Sequence, residues 1–186
     1  MKIMISRNFF KRSLLFCMAI LGIGVAPIAL AETSEVNPSG FLVSLHQEVK
    51  ADPHQVFLAI SQVGKWWNRQ HTWSGNAANL SLDLVAGGCF CERWDANSAQ
   101  HALVVLVKKD ALVRMVGSLG PLQDMALNGV LTFAINVKEG KTILTVNYRV
   151  NGGAKSNLDE LAAPVEGVLA EQMHRLVAYA EGGAVE

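Results

Sequence analysis

The chain has 186 residues, of which 51% are hydrophobic, and its 16 basic side chains equal its 16 acidic ones in number. This length suits one domain with a sizeable core. The balanced charge gives no basic domain of the kind that captures nucleic acid or anionic lipid, so we expect neither as a partner.

The first 31 residues have the order of a secretory signal peptide. Basic residues precede an apolar stretch over residues 14–30, which ends in an Ala-Leu-Ala sequence at residues 29–31. An uncleaved membrane anchor is the alternative, but the stretch is barely long enough and contains two glycines and a proline. We therefore expect cleavage after Ala31, no lipid on Cys17, no membrane insertion of the mature protein, and a periplasmic or secreted location. Cleavage removes four basic and no acidic residues, which leaves a net charge of about −4.

Cys89 and Cys91 are the cysteines of the expected mature chain. An oxidising compartment permits a disulfide. Two residues apart on an extended strand, however, their Cα atoms would lie roughly 6.5–7 Å apart, near the upper limit for a bridge. We predict two packed free thiols, with a disulfide and a metal site as the less favoured alternatives.

The mature chain is predicted to start with a flexible lead over residues 32–39, which is polar and contains a proline, followed by one domain over residues 40–186. Alternating apolar residues predict a first strand over residues 41–50. A helix follows, because Asp52 and Gln55 have the spacing of a capping box around a proline at the first helical position.

Alternation and turn residues then predict six more strands, at residues 80–84, 89–94, 101–108, 111–119, 130–137 and 142–150. Short polar links between them favour antiparallel neighbours. The connection at residues 120–129 is longer and partly apolar, and it contains Leu122 and Met125. We interpret this connection as a candidate lid.

A long helix is predicted from Pro164 to about Glu181, with one apolar face. Gln172 lies in the middle of that face, and burying its amide without a partner would cost roughly 1–3 kcal/mol. We predict that Gln172 points into a cavity between this helix and the sheet. The order of elements indicates an α+β protein in which a curved antiparallel sheet of about seven strands surrounds a long C-terminal helix.

Four segments carry a resemblance to a known superfamily: ADPHQVFLAISQVGKWWN, GGCFCERW, YRVNGG and PVEGVLAEQMHRLVAY. Together they resemble the START-like, or SRPBCC, superfamily, in the branch of the activator of Hsp90 ATPase homologues and the polyketide cyclase and dehydrase-like proteins. The resemblance covers nearly all of residues 41–181 and implies a helix-grip fold. Because the superfamily includes lipid carriers, hormone binders, cyclases and co-chaperones, it implies no single activity. An exported chain would not meet cytosolic Hsp90.

Glu92 and His101 are the candidate catalytic residues. A four-residue link at residues 95–98 would place Glu92 directly across from His101, and Phe90 across from Leu103. On the concave face such a pair could transfer a proton. At the rim or on the convex face it would be an ordinary polar pair, which is the interpretation we favour.

Trp66 is expected either in the core or against a ligand, and its neighbour Trp67 must point elsewhere, toward the cavity mouth or a partner. Arg114 could hold a ligand acid if it points inward. The complete set of candidate ligand contacts is Trp66, Trp73, Phe90, Glu92, His101, Arg114, Leu122, Met125, Tyr148, Leu169, Gln172 and Leu176.

The sequence contains no nucleophile beside a base, no phosphate-binding glycine loop and no histidine pair at metal spacing, so we predict no metal and no cofactor. The leading hypothesis is an exported protein that binds a small hydrophobic or amphipathic ligand in an internal cavity. One alternative is a cyclase-like or hydrolase-like enzyme that uses Glu92 and His101. The other is a protein-interaction module, for which the sequence identifies no partner.

Overall fold

The computed structural model describes residues 30–185, and the predicted signal peptide up to residue 29 lies outside the described residues. Strands and helices follow one another as β1 (Leu30–Asn37), β2 (Gly40–Val49), α1 (Pro53–Ser61), α2 (Val63–Trp66), β3 (Leu80–Leu82), β4 (Cys89–Trp94), β5 (Asn97–Lys108), β6 (Leu112–Val116), β7 (Asn128–Lys138), β8 (Lys141–Asn151) and α3 (Leu158–Ala180). Short 3-10 turns occur at Arg69–His71, Ala77–Asn79 and Gly120–Met125.

The strands form one curved antiparallel sheet in the order β1-β2-β8-β7-β6-β5-β4-β3. Alternate residues of β2 and β8 are buried on the face that α3 covers, and α3 also packs against α1 and α2. This arrangement confirms the predicted α+β helix-grip fold. No helix in the described part of the chain is long and apolar enough to cross a membrane.

The start of the domain differs from the prediction. Residues 32–39 were expected to be a flexible lead, but most of them belong to β1, which pairs with β2. Most β1 side chains are exposed, so the sequence shows no apolar alternation that would reveal the strand. It pairs with β2 through backbone hydrogen bonds, and Glu35 also makes a two-pronged ion pair with Arg149 of β8. The sheet therefore has eight strands rather than about seven.

Helix α1 begins as predicted. Asp52 accepts a hydrogen bond from the Gln55 backbone N–H at 2.8 Å, and the Gln55 side chain accepts one from the Asp52 N–H at 3.0 Å. Each side chain thus satisfies a backbone donor that the first turn of a helix leaves free.

Helix α3 begins at Leu158, six residues before the predicted start at Pro164. The residues between them include good helix formers, and Asp159 and Glu160 in the first turn are favourable for the helix dipole. Leu158 is completely buried and anchors this extra length. Pro164 therefore lies inside the helix, where it cannot donate to the carbonyl oxygen of Glu160.

The link between β4 and β5 has two residues rather than the predicted four. Trp94 pairs with Asn97 and Glu92 pairs with Ala99. Asp95 turns the chain with a φ of 49°, which a short polar side chain tolerates. The predicted pairing of Glu92 with His101, and of Phe90 with Leu103, is therefore wrong in register.

A bulge in β5 brings His101 back to Glu92. Phe90 pairs with Ala102 and Cys91 pairs with Gln100, which leaves His101 as an extra residue without a partner in the ladder. A bulge changes the direction of a side chain. Here it turns His101 toward the buried side of the sheet, next to Ala102, which is also buried.

Cys89 and Cys91 form a disulfide, so the prediction of two free thiols is wrong. Their Cα atoms lie 5.3 Å apart, within the range that a disulfide requires and well below the spacing of an extended strand. The ladder between β4 and β5 is irregular at Phe90 and Cys91, next to this bridge. The prediction assumed a regular strand.

Candidate functional site

Residues 67–74, which we call the strap, connect α2 to the 3-10 turn before β3. At its start, the Asn68 N–H donates to Gln172 Oε1 of α3 at 2.8 Å. The Asn68 side-chain amide also donates to Glu171, the preceding residue of the helix. The beginning of the strap is therefore tied to α3.

The end of the strap is tied to β4. Glu92 is completely buried, and its two carboxylate oxygens accept the N–H groups of Trp73 at 3.0 Å and Ser74 at 2.6 Å. A buried carboxylate needs such donors because it has lost its contact with water. Glu92 thereby fixes the strap against the sheet.

Glu92 has a third partner in His101, whose Nε2 lies 3.1 Å from Glu92 Oε2. The His101 ring also packs against Phe90, with ring centroids 4.9 Å apart, and only 6% of its surface is exposed. The predicted proximity of Glu92 and His101 is confirmed. The pair lies on the buried side of the sheet, so the preferred rim or convex position is wrong.

The environment lowers the pKa of both groups. Burial would raise the pKa of Glu92, but the hydrogen bonds from Ser74, Trp73 and His101 outweigh it, and the pKa falls below 4.5. Burial lowers the pKa of His101 below 6.5 against the opposing pull of Glu92. At neutral pH the pair therefore consists of a carboxylate and a neutral imidazole.

A pocket of about 400 Å³ opens above this pair, between α3, the strap and the connection after β6. The sheet contributes His101 and Tyr148 to its wall. The other residues that line it are Trp67, Gln70, His71, Thr72 and Trp73 of the strap, Leu119, Gly120, Pro121 and Leu122 of the connection, and Leu161, Pro164, Val165, Val168 and Leu169 of α3.

Tyr148 holds the connection after β6 in place. Its hydroxyl donates to the Gly117 carbonyl at 3.2 Å and accepts the Leu119 N–H at 3.0 Å. Burial raises the pKa of Tyr148 to about 12. Gly129 makes room for this hydroxyl, because a Cβ at that position would lie 2.6 Å from it.

Of the predicted ligand contacts, the structure brings five together around the pocket: Trp73, His101, Leu122, Tyr148 and Leu169. Trp73 is 51% exposed and lies at the mouth, whereas Leu122, Leu169 and Tyr148 are buried. Glu92 reaches the pocket indirectly, through His101 and the strap.

Three more predicted contacts lie in the core beneath the pocket: Trp66, Phe90 and Leu176. Trp66 donates its indole N–H to the carbonyl of Ala59 in α1 at 2.8 Å, so this donor is already used within the protein. Phe90 packs edge-on against Trp67 with ring centroids 5.4 Å apart, and it supports the pocket wall from behind.

Two predicted contacts lie away from the pocket. Arg114 alternates with the buried Val113 and Met115 along β6, so it lies on the opposite face, where its Nε donates to Thr132 Oγ1 at 3.1 Å. Met125 is 37% exposed at the end of its 3-10 turn. Neither residue lines the pocket.

Gln172 is buried, with 2% of its surface exposed, as the position of its amide on the apolar face of α3 predicts. It does not line the pocket. Its carbonyl oxygen is used by the strap, and its Nε2 has no hydrogen-bond partner among the described residues. The helix phase was right, but a short loop, rather than a cavity, fills the space in front of the residue.

Most pocket residues of the strap and of the first half of α3 were not predicted from the sequence. Val165 and Val168 share the apolar face of the predicted helix with Leu169, which was a usable signal. Gln70, His71 and Thr72 carried none, because their position depends on the hydrogen bonds that fold the strap back over the sheet. In residues 30–185, no group of three or more His, Cys, Asp or Glu side chains could hold a metal ion.

No protein-family model matches the chain, and no curated protein sequence matches it. Solved structures do match. CalU16 from Micromonospora echinospora has a TM-score of 0.56 at 11% identity, over 85% of this chain and 86% of that one. Aha1 from Colwellia psychrerythraea, solved as a dimer, has a TM-score of 0.56 at 16% identity, over 76% of this chain and 97% of that one. A protein from Arthrobacter aurescens has a TM-score of 0.57 at 13% identity, over 84% and 93%.

The chain therefore shares the fold of these solved structures. The START-like resemblance predicted from the sequence is thus confirmed for the fold. At identities of 11–16% the likeness carries no activity or ligand from these proteins to this chain.

Proposed function

We propose that this START-like chain is an exported protein that binds a small apolar or amphipathic ligand in the pocket between α3 and the sheet. The observation that supports the proposal best is the pocket itself, with a volume of about 400 Å³ and walls made largely of aromatic and aliphatic side chains. Concave, mainly apolar pockets with few polar groups are typical of small-molecule sites. The buried imidazole of His101 supplies a polar group at the pocket wall.

The binding test uses the neutral fluorescent probe N-phenyl-1-naphthylamine, whose emission rises in apolar surroundings. Val168→Phe should weaken probe binding by about tenfold or more, because the larger ring occupies pocket volume. His174→Phe is the matched control, since His174 is exposed on the same helix and does not line the pocket. Equal binding by both variants would contradict the proposal. Native mass spectrometry of the exported protein would identify the natural ligand.

Export is a separate part of the proposal and rests on the order of the first 31 residues. Cleavage after Ala31 would leave most of β1 in the mature protein, because the strand continues to Asn37. N-terminal sequencing of material from the periplasm or medium should find Glu32 first. Retention of Met1, or a lipid on Cys17, would contradict it.

An enzyme that uses Glu92 and His101 is the second candidate. It is favoured by the 3.1 Å contact between the two side chains beside the pocket, because a carboxylate that orients an imidazole is a common general-base arrangement. His101→Gln should then abolish turnover of a bound ligand while the ligand still binds. A ligand that is recovered unchanged from the wild-type protein would leave binding as the function.

A further inference from the structure

Three polar side-chain groups in the wall of the pocket, those of Tyr148, Thr72 and Trp67, already have partners. The Tyr148 hydroxyl donates to the Gly117 carbonyl and accepts the Leu119 N–H, both in the connection after β6. The Thr72 hydroxyl donates to the Arg69 carbonyl at 2.7 Å, and the Trp67 indole donates to the His71 carbonyl at 3.0 Å. A ligand therefore gains no strong hydrogen bond from these atoms.

His101 differs because its hydrogen bonds fix which ring nitrogen carries the proton. The backbone N–H groups of Trp73 and Ser74 can only donate, and both point at the Glu92 carboxylate. Two such donors favour the ionised carboxylate, which can only accept. The Nε2 of His101 must therefore be the protonated nitrogen, and in the neutral ring Nδ1 is a bare acceptor.

This Nδ1 is accessible. Among the described residues, the fully buried side-chain nitrogen and oxygen atoms without a partner are Gln47 Oε1 and Gln172 Nε2. No hydrogen bond in that part of the chain uses His101 Nδ1, so this atom must retain contact with open space. The open space that His101 lines is the pocket.

We infer that the pocket takes an uncharged ligand with a hydroxyl or N–H group, and that this group donates a hydrogen bond to Nδ1 of His101. The inference rests on the proposed binding function and states which chemical class the pocket selects. A ligand without a donor would leave Nδ1 desolvated and unpaired, which is costly in an apolar site.

Charge excludes the ionic alternatives. Among the described residues that line the pocket there is no Lys, Arg, Asp or Glu, so neither a carboxylate nor an ammonium group would meet an opposite charge. An anion at Nδ1 would face a lone pair, with the buried Glu92 carboxylate behind the ring. His71, at the mouth, is paired with Glu171 at 3.2 Å.

The test compares three naphthalenes of similar size by titration calorimetry with the wild-type protein at neutral pH. 1-Naphthol has a donor, 1-methoxynaphthalene has an acceptor in its place, and 1-naphthoate is an anion. We expect 1-naphthol to bind about five- to tenfold more tightly than 1-methoxynaphthalene, the effect of one hydrogen bond to a buried acceptor. We expect 1-naphthoate to bind at least about tenfold more weakly than 1-naphthol.

The outcomes separate the inference from the function on which it rests. Absence of binding for all three compounds and for N-phenyl-1-naphthylamine would contradict the proposed function. Equal affinities for 1-naphthol and 1-methoxynaphthalene would overturn the inference and leave the binding function standing. Binding of 1-naphthoate as tight as that of 1-naphthol would overturn the requirement for an uncharged ligand.

His101→Phe provides the matched variant, with His174→Phe as its control on the exposed side of α3. The preference for 1-naphthol should fall to about one in the first variant and persist in the second. Imidazole ¹⁵N shifts of the wild-type protein give a readout that needs no variant. They should show His101 protonated at Nε2, with the Nδ1 resonance moving when 1-naphthol is added. A proton on Nδ1 would overturn the inference.

Discussion

The two ends of the strap are held in the same way but by different kinds of side chain. At each end a buried side chain accepts backbone N–H groups, from Asn68 at the start and from Trp73 and Ser74 at the end. The acceptor at the start is the neutral Gln172, whose other amide atom has no partner in the described chain. At the end it is the charged Glu92, and its third hydrogen bond orients His101.

This difference separates a structural anchor from a functional one. Gln172 fixes the strap to α3 and does not touch the pocket. Glu92 fixes the strap to the sheet and at the same time determines the proton position of a pocket residue. A ligand at His101 would therefore be coupled through one carboxylate to the part of the strap that contains Trp73, and not to the part that contains Asn68.

The largest effect should come from Glu92→Gln. The amide offers one acceptor oxygen to three donors and turns its own N–H groups toward them, so we expect the free energy of unfolding to fall by about 3 kcal/mol. Urea denaturation measures it. In hydrogen exchange, the Trp73 and Ser74 amides should lose protection while the Asn68 amide keeps it.

Glu171→Gln is the control, because Glu171 is partly exposed and its amide could still accept from Asn68. Its cost should stay below about 1 kcal/mol. A loss of similar size in the two variants would show that the charge of Glu92 has no special role.

Acid should weaken the Glu92 end of the strap. Burial lowers the pKa of His101 below 6.5. As the pH falls below 6.5, His101 is therefore protonated more readily in the unfolded chain than in the folded one, and the free energy of unfolding decreases. The pKa of Glu92 lies below 4.5, so its contribution is present above that value and is lost as the pH falls through its folded-state pKa. Both effects have the same sign.

Denaturation at a series of pH values should show this loss, and His101→Phe should remove the part that begins near pH 6.5. NMR titration adds a sharper test. In Glu92→Gln the pKa of His101 should fall further, since the charge that raises it is gone. A rise would contradict the described pairing.

The disulfide next to Glu92 should have a smaller effect. The chain-entropy model gives about 1.5 kcal/mol for closing a loop as short as Cys89–Cys91. We expect the Cys89→Ser, Cys91→Ser double variant to lose at most that amount, and to loosen the Trp73 and Ser74 amides more than the Asn68 amide. Labelling of the oxidised, denatured protein should find neither cysteine free, and two free thiols would contradict the bridge.

The sequence predicted the fold because each long element has its own periodic pattern, as in α1 with its capping box and in α3. It missed β1, which pairs through its backbone and leaves most of its side chains exposed. It correctly predicted that Glu92 and His101 are neighbours, but the predicted strand register was wrong. In the structure a two-residue turn at Asp95 pairs Glu92 with Ala99, and the bulge at His101 brings the imidazole back to Glu92. Turns and bulges depend on the competing pairings of whole strands, which local patterns do not contain.

The candidate site was predicted less completely for a related reason. Residues on the apolar face of α3 and on the sheet follow helix and strand periodicity, and Leu169, Tyr148 and His101 were correctly predicted to line the pocket. The strap has no period, and its path depends on buried acceptors that come from β4 and α3, far away in the sequence. Gln172 was recognised as a buried amide, but only the folded chain shows that its partner is Asn68.

The smallest effect should come from Gln172→Leu. The substitution removes the acceptor of the Asn68 N–H, which costs about 1 kcal/mol, but it also removes a buried amide nitrogen that has no partner among the described residues. These effects oppose each other, so we expect the free energy of unfolding to change by less than about 1 kcal/mol. The Asn68 amide should exchange faster, while the Trp73 and Ser74 amides and the affinity for 1-naphthol stay as in the wild type. A change in that affinity would show that the Gln172 end of the strap is coupled to the pocket as well, and the distinction between the two anchors would be lost.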